Sequence, residues 1–233
     1  MTQPADPLTT DLGRMSHRDA LLAIIGPVAC LEIADIGCGE GALDRELAAR
    51  GAIVTGYDPF MPPTERTSLG AGAHQIRRAN ADAIPAPDAS VDLVLFVFSL
   101  HHVPQAGLAG AMAEARRLLR PGGRLYVAEP VAQGPHQYIV ELFHDETAVR
   151  AAASAALAQF AAPRFAERRV ARYVEIRRYP DFNVFAERMI ANMRFNGYTS
   201  ASVLAPEVRD RFAATAARHG GEFEQPVHID LFT

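Results

Sequence analysis

The stretch "LEIADIGCGEGALDRELAAR" (31–50) constrains the fold more than any other part of this chain. A short apolar run ends in three glycines at alternate positions, Gly37, Gly39 and Gly41. A segment with one apolar face, carrying Leu43 and Leu47 four residues apart, follows at once. Such a strand–turn–helix unit has its turn where the backbone must bend sharply and approach a ligand without a Cβ in the way. Further runs repeat the alternation. "AIVTGYD" (52–58) reads as a second strand, "HQIRRANAD" (74–82) as a third and "VDLVLFVFSL" (91–100) as a fourth, apolar enough to be buried on both faces. The helix "AGLAGAMAEARRLLR" is stopped by Pro121–Gly123, and "RLYVAEP" (124–130) makes strand five.

Beyond Pro130 the pattern changes. A loop leads to a long Ala-rich helix N-capped by Asp145, and "RRVARYVEIRRY" (168–179) alternates as a strand with one wet face. Helices are expected around Asp181–Met193 and Pro206–His219, and "EFEQPVHIDLFT" (222–233) closes the chain as a last strand. These elements predict an α/β fold: a Rossmann-like, doubly wound, seven-stranded sheet, mostly parallel with an antiparallel last strand, and helices on both faces. At 233 residues and 49% hydrophobic, one domain over 1–233 is expected, with 1–30 as an N-terminal lid.

Composition narrows the function classes. Net charge is −4, against the basic excess of a nucleic-acid binder. All 23 basic residues are Arg, so any cationic site is a planar guanidinium fork suited to carboxylates and phosphates. Cys30 and Cys38 have no metal-ligand spacing and one lies inside the glycine turn, so no metal and no disulfide are expected. No segment has the roughly 18 to 20 apolar residues of a membrane span, and the polar N-terminus lacks an apolar signal core. These features read as a cytoplasmic chain.

Asp58 ends strand two, 21 residues after Gly37, where a carboxylate can accept hydrogen bonds from two ribose hydroxyls. That position suits a nicotinamide dinucleotide and S-adenosylmethionine (SAM) alike. The dinucleotide fingerprint, however, is G-x-G-x-x-G with a helix N-terminus bare for pyrophosphate. Here the spacing is D-x-G-x-G-x-G from Asp35, with Glu40 among the glycines. Acidic groups there repel a pyrophosphate and suit the ammonium and sulfonium of SAM.

With those residues, "ADIGCGEG", "GYD", "NADAIPAPDASVDLVLFVFSLHHV" and "LRPGGRLYVAEP" (spanning 34–130) resemble the successive motifs of class I SAM-dependent methyltransferases, in the flavour of ubiquinone and menaquinone enzymes. The resemblance implies that Asp35, Gly37, Cys38 and Gly39 hold the methionine part of SAM, Asp58 and Pro59 the ribose, and Asp82 and Ala83 the adenine. It also implies Phe98 and Ser99 as cavity lining. Arg14, or Arg18, is the expected partner of the SAM carboxylate. His101 is the candidate general base, for acceptors that must lose a proton. Substrate-side candidates are His102, Tyr138, Phe143 and His144, with 131–165 and 180–200 as acceptor-selecting insertions. Several of these have plain structural readings: Asp58 before a proline as a turn, Asp145 and His144 as a helix cap, the arginines of 164–178 as a solvated strand face. The expected activity is methyl transfer to a small molecule by a monomer or homodimer. The alternatives are attack on the aminocarboxypropyl chain of SAM and a non-catalytic SAM-binding subunit.

Overall fold

In a computed structural model describing residues 9–233, a single sheet carries the whole architecture. Its strands are β1 (Thr9–Arg14), β2 (Glu32–Ile36), β3 (Ile53–Tyr57), β4 (Thr67–Leu69), β5 (Gly72–Arg77), β6 (Val91–Val97), β7 (Leu119–Pro130), β8 (Arg168–Arg178) and β9 (Glu222–Phe232). Their order is β1-β8-β9-β7-β6-β2-β3-β5-β4. The helices are α1 (His17–Ile25), α2 (Ala42–Ala48), α3 (Leu108–Leu118), α4 (Gly134–Val140), α5 (Thr147–Ala156), α6 (Phe182–Ala191), α7 (Ser200–Val203) and α8 (Pro206–His219).

The doubly wound arrangement follows from the period-2 alternation of the central strands. In β6, Val94 and Phe96 point to one face and pack with α3 and α5, through Met112, Leu118 and Ala156. Leu93 and Leu95 point to the other face and pack with α1 and α2, through Leu21, Ile25 and Leu47. A third apolar cluster joins α4, α6 and α8 to Phe223 of β9, so the second half of the chain has its own small core beside the sheet. β9 lies between β7 and β8 and runs antiparallel to both.

Nine strands replace the expected seven. β1 is a polar segment, TTDLGR, that adds to the sheet edge in parallel with β8 and leads into α1; the first eight residues of the expected 1–30 lid lie outside the described ones. β4 is three residues long, too short for any periodicity to register. β7 starts directly after α3: Val91 pairs with Leu119 and Leu93 with Arg124, so Pro121–Gly123 bulge out of the ladder. The loop expected after Pro130 holds a helix of its own, α4, and the long Ala-rich helix is α5, which runs on into a wide π turn at Leu157–Ala161.

The tightest join lies between the ends of β2 and β6. Gly37 has φ +79°, and a Cβ built there would sit 2.4 Å from Ser99 Cβ. Ser99 Oγ donates to the Ile36 carbonyl at 2.6 Å, tying the two strand ends together. Gly70, by contrast, has φ +63° with open space around it. Gly37→Ala is therefore expected to lower stability by more than about 2 kcal/mol, or roughly 4–8 °C in Tm for a chain of this length. Gly70→Ala carries only the backbone strain and should cost about 1 kcal/mol. Thermal unfolding of both variants checks this, and equal losses would contradict the steric part of the account.

Candidate active site

The glycine turn, Asp58, Phe98–Ser99 and Glu129 all lie at the carboxyl ends of β2, β3, β6 and β7, around the point where the strand order reverses. A cavity of about 690 Å³ opens there, large enough for a nucleoside and a small second molecule. Gly37, Cys38, Gly39, Asp58, Pro59, Asp82, Phe98, Ser99, His101, His102 and His144 all line it. A smaller recess of about 280 Å³ adjoins it across Gly37, Cys38, Phe98, Asn192 and Phe195, and is lined also by His17, Asp35, Glu40 and Arg194.

Asp58 is almost fully buried, and its carboxylate accepts the backbone N–H groups of Gly39 at 3.1 Å, Phe60 at 2.8 Å and Met61 at 3.2 Å. Those bonds fix the carboxylate on the cavity wall and leave lone pairs for a ligand hydroxyl. Asp82 packs against Gly110 of α3, where a Cβ would come within 2.9 Å of Asp82 Cβ. Cys38 is held as a neutral thiol, because burial pushes its pKa well up.

Asp35 and Asp44, on β2 and α2, form a buried acid pair. Burial pushes Asp35 up to about 6, against the lowering effects of a hydrogen bond with Asp44 and the nearby His17. Burial and the Asp35 charge raise Asp44 as well. No other donor reaches either Asp44 oxygen, so one proton shared between the two carboxyls is the arrangement that satisfies both.

On the opposite wall the polar groups form a chain. His101, in the turn Leu100–His102, has its Nδ1 bonded to Glu129 and its Nε2 3.4 Å from Glu146 Oε1. Glu129 also accepts the Leu100 N–H at 2.9 Å. Glu146 Oε1 is 2.8 Å from His144 Nε2, and its Oε2 accepts from Arg150 at 2.6 Å. Burial works against a charged His101, but the hydrogen bonds it donates to the Glu129 and Glu146 carboxylates outweigh it and raise the pKa to about 9. Burial likewise opposes a charged Glu146, yet His101 and His144 hold it well below the usual carboxylate range. His102 goes the other way, pushed down to about 4 by burial and the charge on His101. His136, beneath, is neutral, driven down to about 3 by burial, and bonded to Gln225 and Tyr179.

Some expected positions fall elsewhere. His101 is buried, with its Nδ1 bonded to Glu129 and its Nε2 facing Glu146, so both ring nitrogens meet carboxylates. Arg14 is 61% exposed and paired with Glu222 and Glu224, because β1 joins the far edge of the sheet, and Arg18 is paired with Asp19 and Glu46; neither lines either recess. The cation beside the glycine turn is Arg194, which pairs with Glu40. Ala83 turns away from the cavity, and Ala79–Ala81 take its place. Tyr138 is half exposed under Arg211, and Phe143 packs against Phe185 and Tyr198. Asp145 does accept the Thr147 N–H at 3.0 Å. The arginines of 164–178 pair along β8 and its surroundings, as Arg168 does with Asp230, but Arg177 reaches the cavity. Sequence reasoning missed Glu129, His136, Glu146, Arg150, Asn192 and Gln225; none sits in a recognisable spacing, and distant strands and helices bring them together.

Residues 34–127 match the family model described as a methyltransferase domain. Demethylmenaquinone methyltransferase of Tropheryma whipplei is 38% identical over 114 residues, 48% of this chain and 47% of that protein. The chain thus spans about half the length of the first curated relatives it matches. Among solved structures, YcgJ of Bacillus subtilis aligns with TM-score 0.59 at 16% identity, covering 93% of this chain and 97% of that one. A putative methyltransferase from an antibiotic biosynthesis pathway of Anabaena variabilis aligns at 0.54 and 16%, covering 92% and 96%. These two likenesses extend the shared fold over nearly the whole chain.

The acid pair makes stability depend on pH with a definite sign. Asp35 titrates near 6 in the folded chain and near 3.8 when unfolded, so the folded state takes up this proton first. Its stabilising contribution is full below about pH 4 and is lost as pH rises through about 6. Asp35→Asn should abolish that loss and be the more stable chain above about pH 6. Unfolding measured in both chains across this window tests it; parallel pH profiles would contradict the shared-proton arrangement.

Proposed function

We propose that this chain, whose residues 34–127 match a methyltransferase-domain model, is a class I SAM-dependent methyltransferase acting on a small molecule. The observation that carries the reading is a continuous cavity with a cofactor wall at the glycine turn and Asp58 and a separate polar wall at His101–His102–Glu146. The residues fit SAM. Gly37 and Gly39 leave the turn open at positive φ, and Asp35 and Glu40 offer negative charge to an ammonium group. Arg194 supplies the guanidinium for a carboxylate, Asp58 takes the ribose hydroxyls, and Asp82 lies beside the adenine. When bound, SAM supplies an electrophilic methyl group on a sulfonium, for in-line displacement by an oxygen, nitrogen or carbon nucleophile.

The chain's contribution is placement and exclusion of water. Holding two reactants at near-attack distance supplies several kcal/mol without covalent participation. Met189 of α6, with Asn192 and Phe195 just after it, closes one side of the cavity, while His136, Val140, His144 and Arg150, on and around α4 and α5, bound its acceptor side. These side chains come from the two segments 131–165 and 180–200, which we assign to acceptor selection. His101 is a positioning residue: it anchors Glu146 and fixes His102 on the rim. His102, a neutral ring on the cavity wall, is the imidazole that faces the acceptor's departing proton.

Incubating the chain with SAM and a pooled small-molecule extract, then identifying the thioether by mass spectrometry, tests the reaction. S-adenosylhomocysteine formed only with extract is expected. Methylthioadenosine formed from SAM alone would overturn methyl transfer in favour of attack on the aminocarboxypropyl chain. Asp58→Asn should weaken S-adenosylhomocysteine binding about 10- to 100-fold, roughly 1.4–2.8 kcal/mol, by calorimetry. Unchanged affinity would remove Asp58 from the site.

A further inference from the structure

The polar wall has a geometry that proton transfer alone does not call for. His101 Nε2, His102 Nδ1 and a Glu146 oxygen lie within 4.8 Å of one another. Measured from Glu146 Oε1, the two nitrogens are 3.4 and 3.9 Å away, and His144 Nε2 is 2.8 Å away. A tetrahedral ion with ligands at roughly 2.0–2.2 Å keeps them about 3.3–3.5 Å apart. We propose that His101, His102 and Glu146 form a site for one divalent transition-metal ion on the acceptor side of the cavity.

Three further features favour an ion at this place. First, two of the three donors are oriented by a second group. Glu129 takes the Nδ1 of His101 and turns its Nε2 toward the site, the carboxylate–histidine–metal relation of many metal centres. Arg150 holds Glu146 Oε2 at 2.6 Å, which leaves Oε1 as the single ligating oxygen. Second, the donors are imidazole nitrogens with one carboxylate oxygen. That set suits zinc, cobalt, nickel or iron(II) and not magnesium or calcium, which take oxygen ligands. Third, three protein donors leave a position open, and His102 and Glu146 both face the cavity.

An ion there would meet an acceptor hydroxyl or its bound water and ease loss of the proton. That chemistry rests on the methyltransferase reading, whereas the binding site does not. The glycine-turn wall is separate, so metal binding and S-adenosylhomocysteine binding can be read independently. No ligand spacing marks such a centre, since the donors come from a strand-end turn at 101–102 and from the residue before α5.

The test uses the full chain, stripped with a chelator and titrated with cobalt(II), whose visible ligand-field bands report imidazole ligation directly. One equivalent of cobalt with tetrahedral-type absorption, displaced by zinc, is expected. His102→Asn, on the rim of the cavity, should weaken cobalt binding at least about tenfold, while S-adenosylhomocysteine binding shows that the variant is folded. His219→Asn, on the exposed end of α8, should bind as the parent does. Absence of cobalt bands from the folded parent, or equal affinity in His102→Asn, would overturn the site. Neither result would touch the methyltransferase reading, which stands or falls with the thioether product.

Discussion

The contact of Gly37 with Ser99 is the constraint on which this architecture turns. At the switch point, the chain leaving β2 must pass so close to the chain leaving β6 that only a residue without a Cβ fits. The Ser99 hydroxyl then closes the junction on the Ile36 carbonyl. From that junction the two halves of the cavity diverge. The glycine turn carries Asp35 and approaches Asp58 on one side, and Phe98, itself at φ +56°, carries the chain into the His101–His102 turn on the other. A shared backbone crossing thus sets the distance between the cofactor wall and the acceptor wall.

The two walls handle buried charge in different ways. On the cofactor side, Asp35 and Asp44 face each other without a cation between them, and burial is met by retaining a proton. Folding tolerates this destabilising pair where a cationic ligand would relieve it. On the acceptor side the charges compensate one another: Glu129 and Glu146 flank His101, and Arg150 ties Glu146 to Gln137 on α4. Removing any one member would leave a buried partner uncompensated, so the cluster acts as a unit. It also links strand β7 to helices α4 and α5, joining the first half of the chain to the second.

The first half was legible because its determinants are local. The alternation of apolar runs with helical patterns gives β2, β3, β5, β6 and β7 in order, and the glycine spacing with Asp58 locates the cofactor wall. What escaped reading depends on partners far away in the chain. β1 is polar and becomes a strand only because β8 offers an edge, and β4 exists only beside β5. Arg14 looked suited to a ligand carboxylate until β1 carried it to the side of Glu222 and Glu224. Arg194 sits in an unpatterned loop, and only folding lays it on Glu40. The histidine pair was visible as a motif, but its protonation states were not. Those follow from Glu129 and Glu146, which lie 28 and 45 residues from His101.

A crystal structure with S-adenosylhomocysteine bound tests the central claim most directly, that the cavity beside the Gly37–Ser99 junction is the cofactor site. The account predicts ribose hydroxyls on the Asp58 carboxylate, the adenine beside Asp82, and the amino-acid end in the recess of Asp35, Glu40 and Arg194. A ligand bound elsewhere, or with its amino-acid end turned toward Glu146, would contradict it.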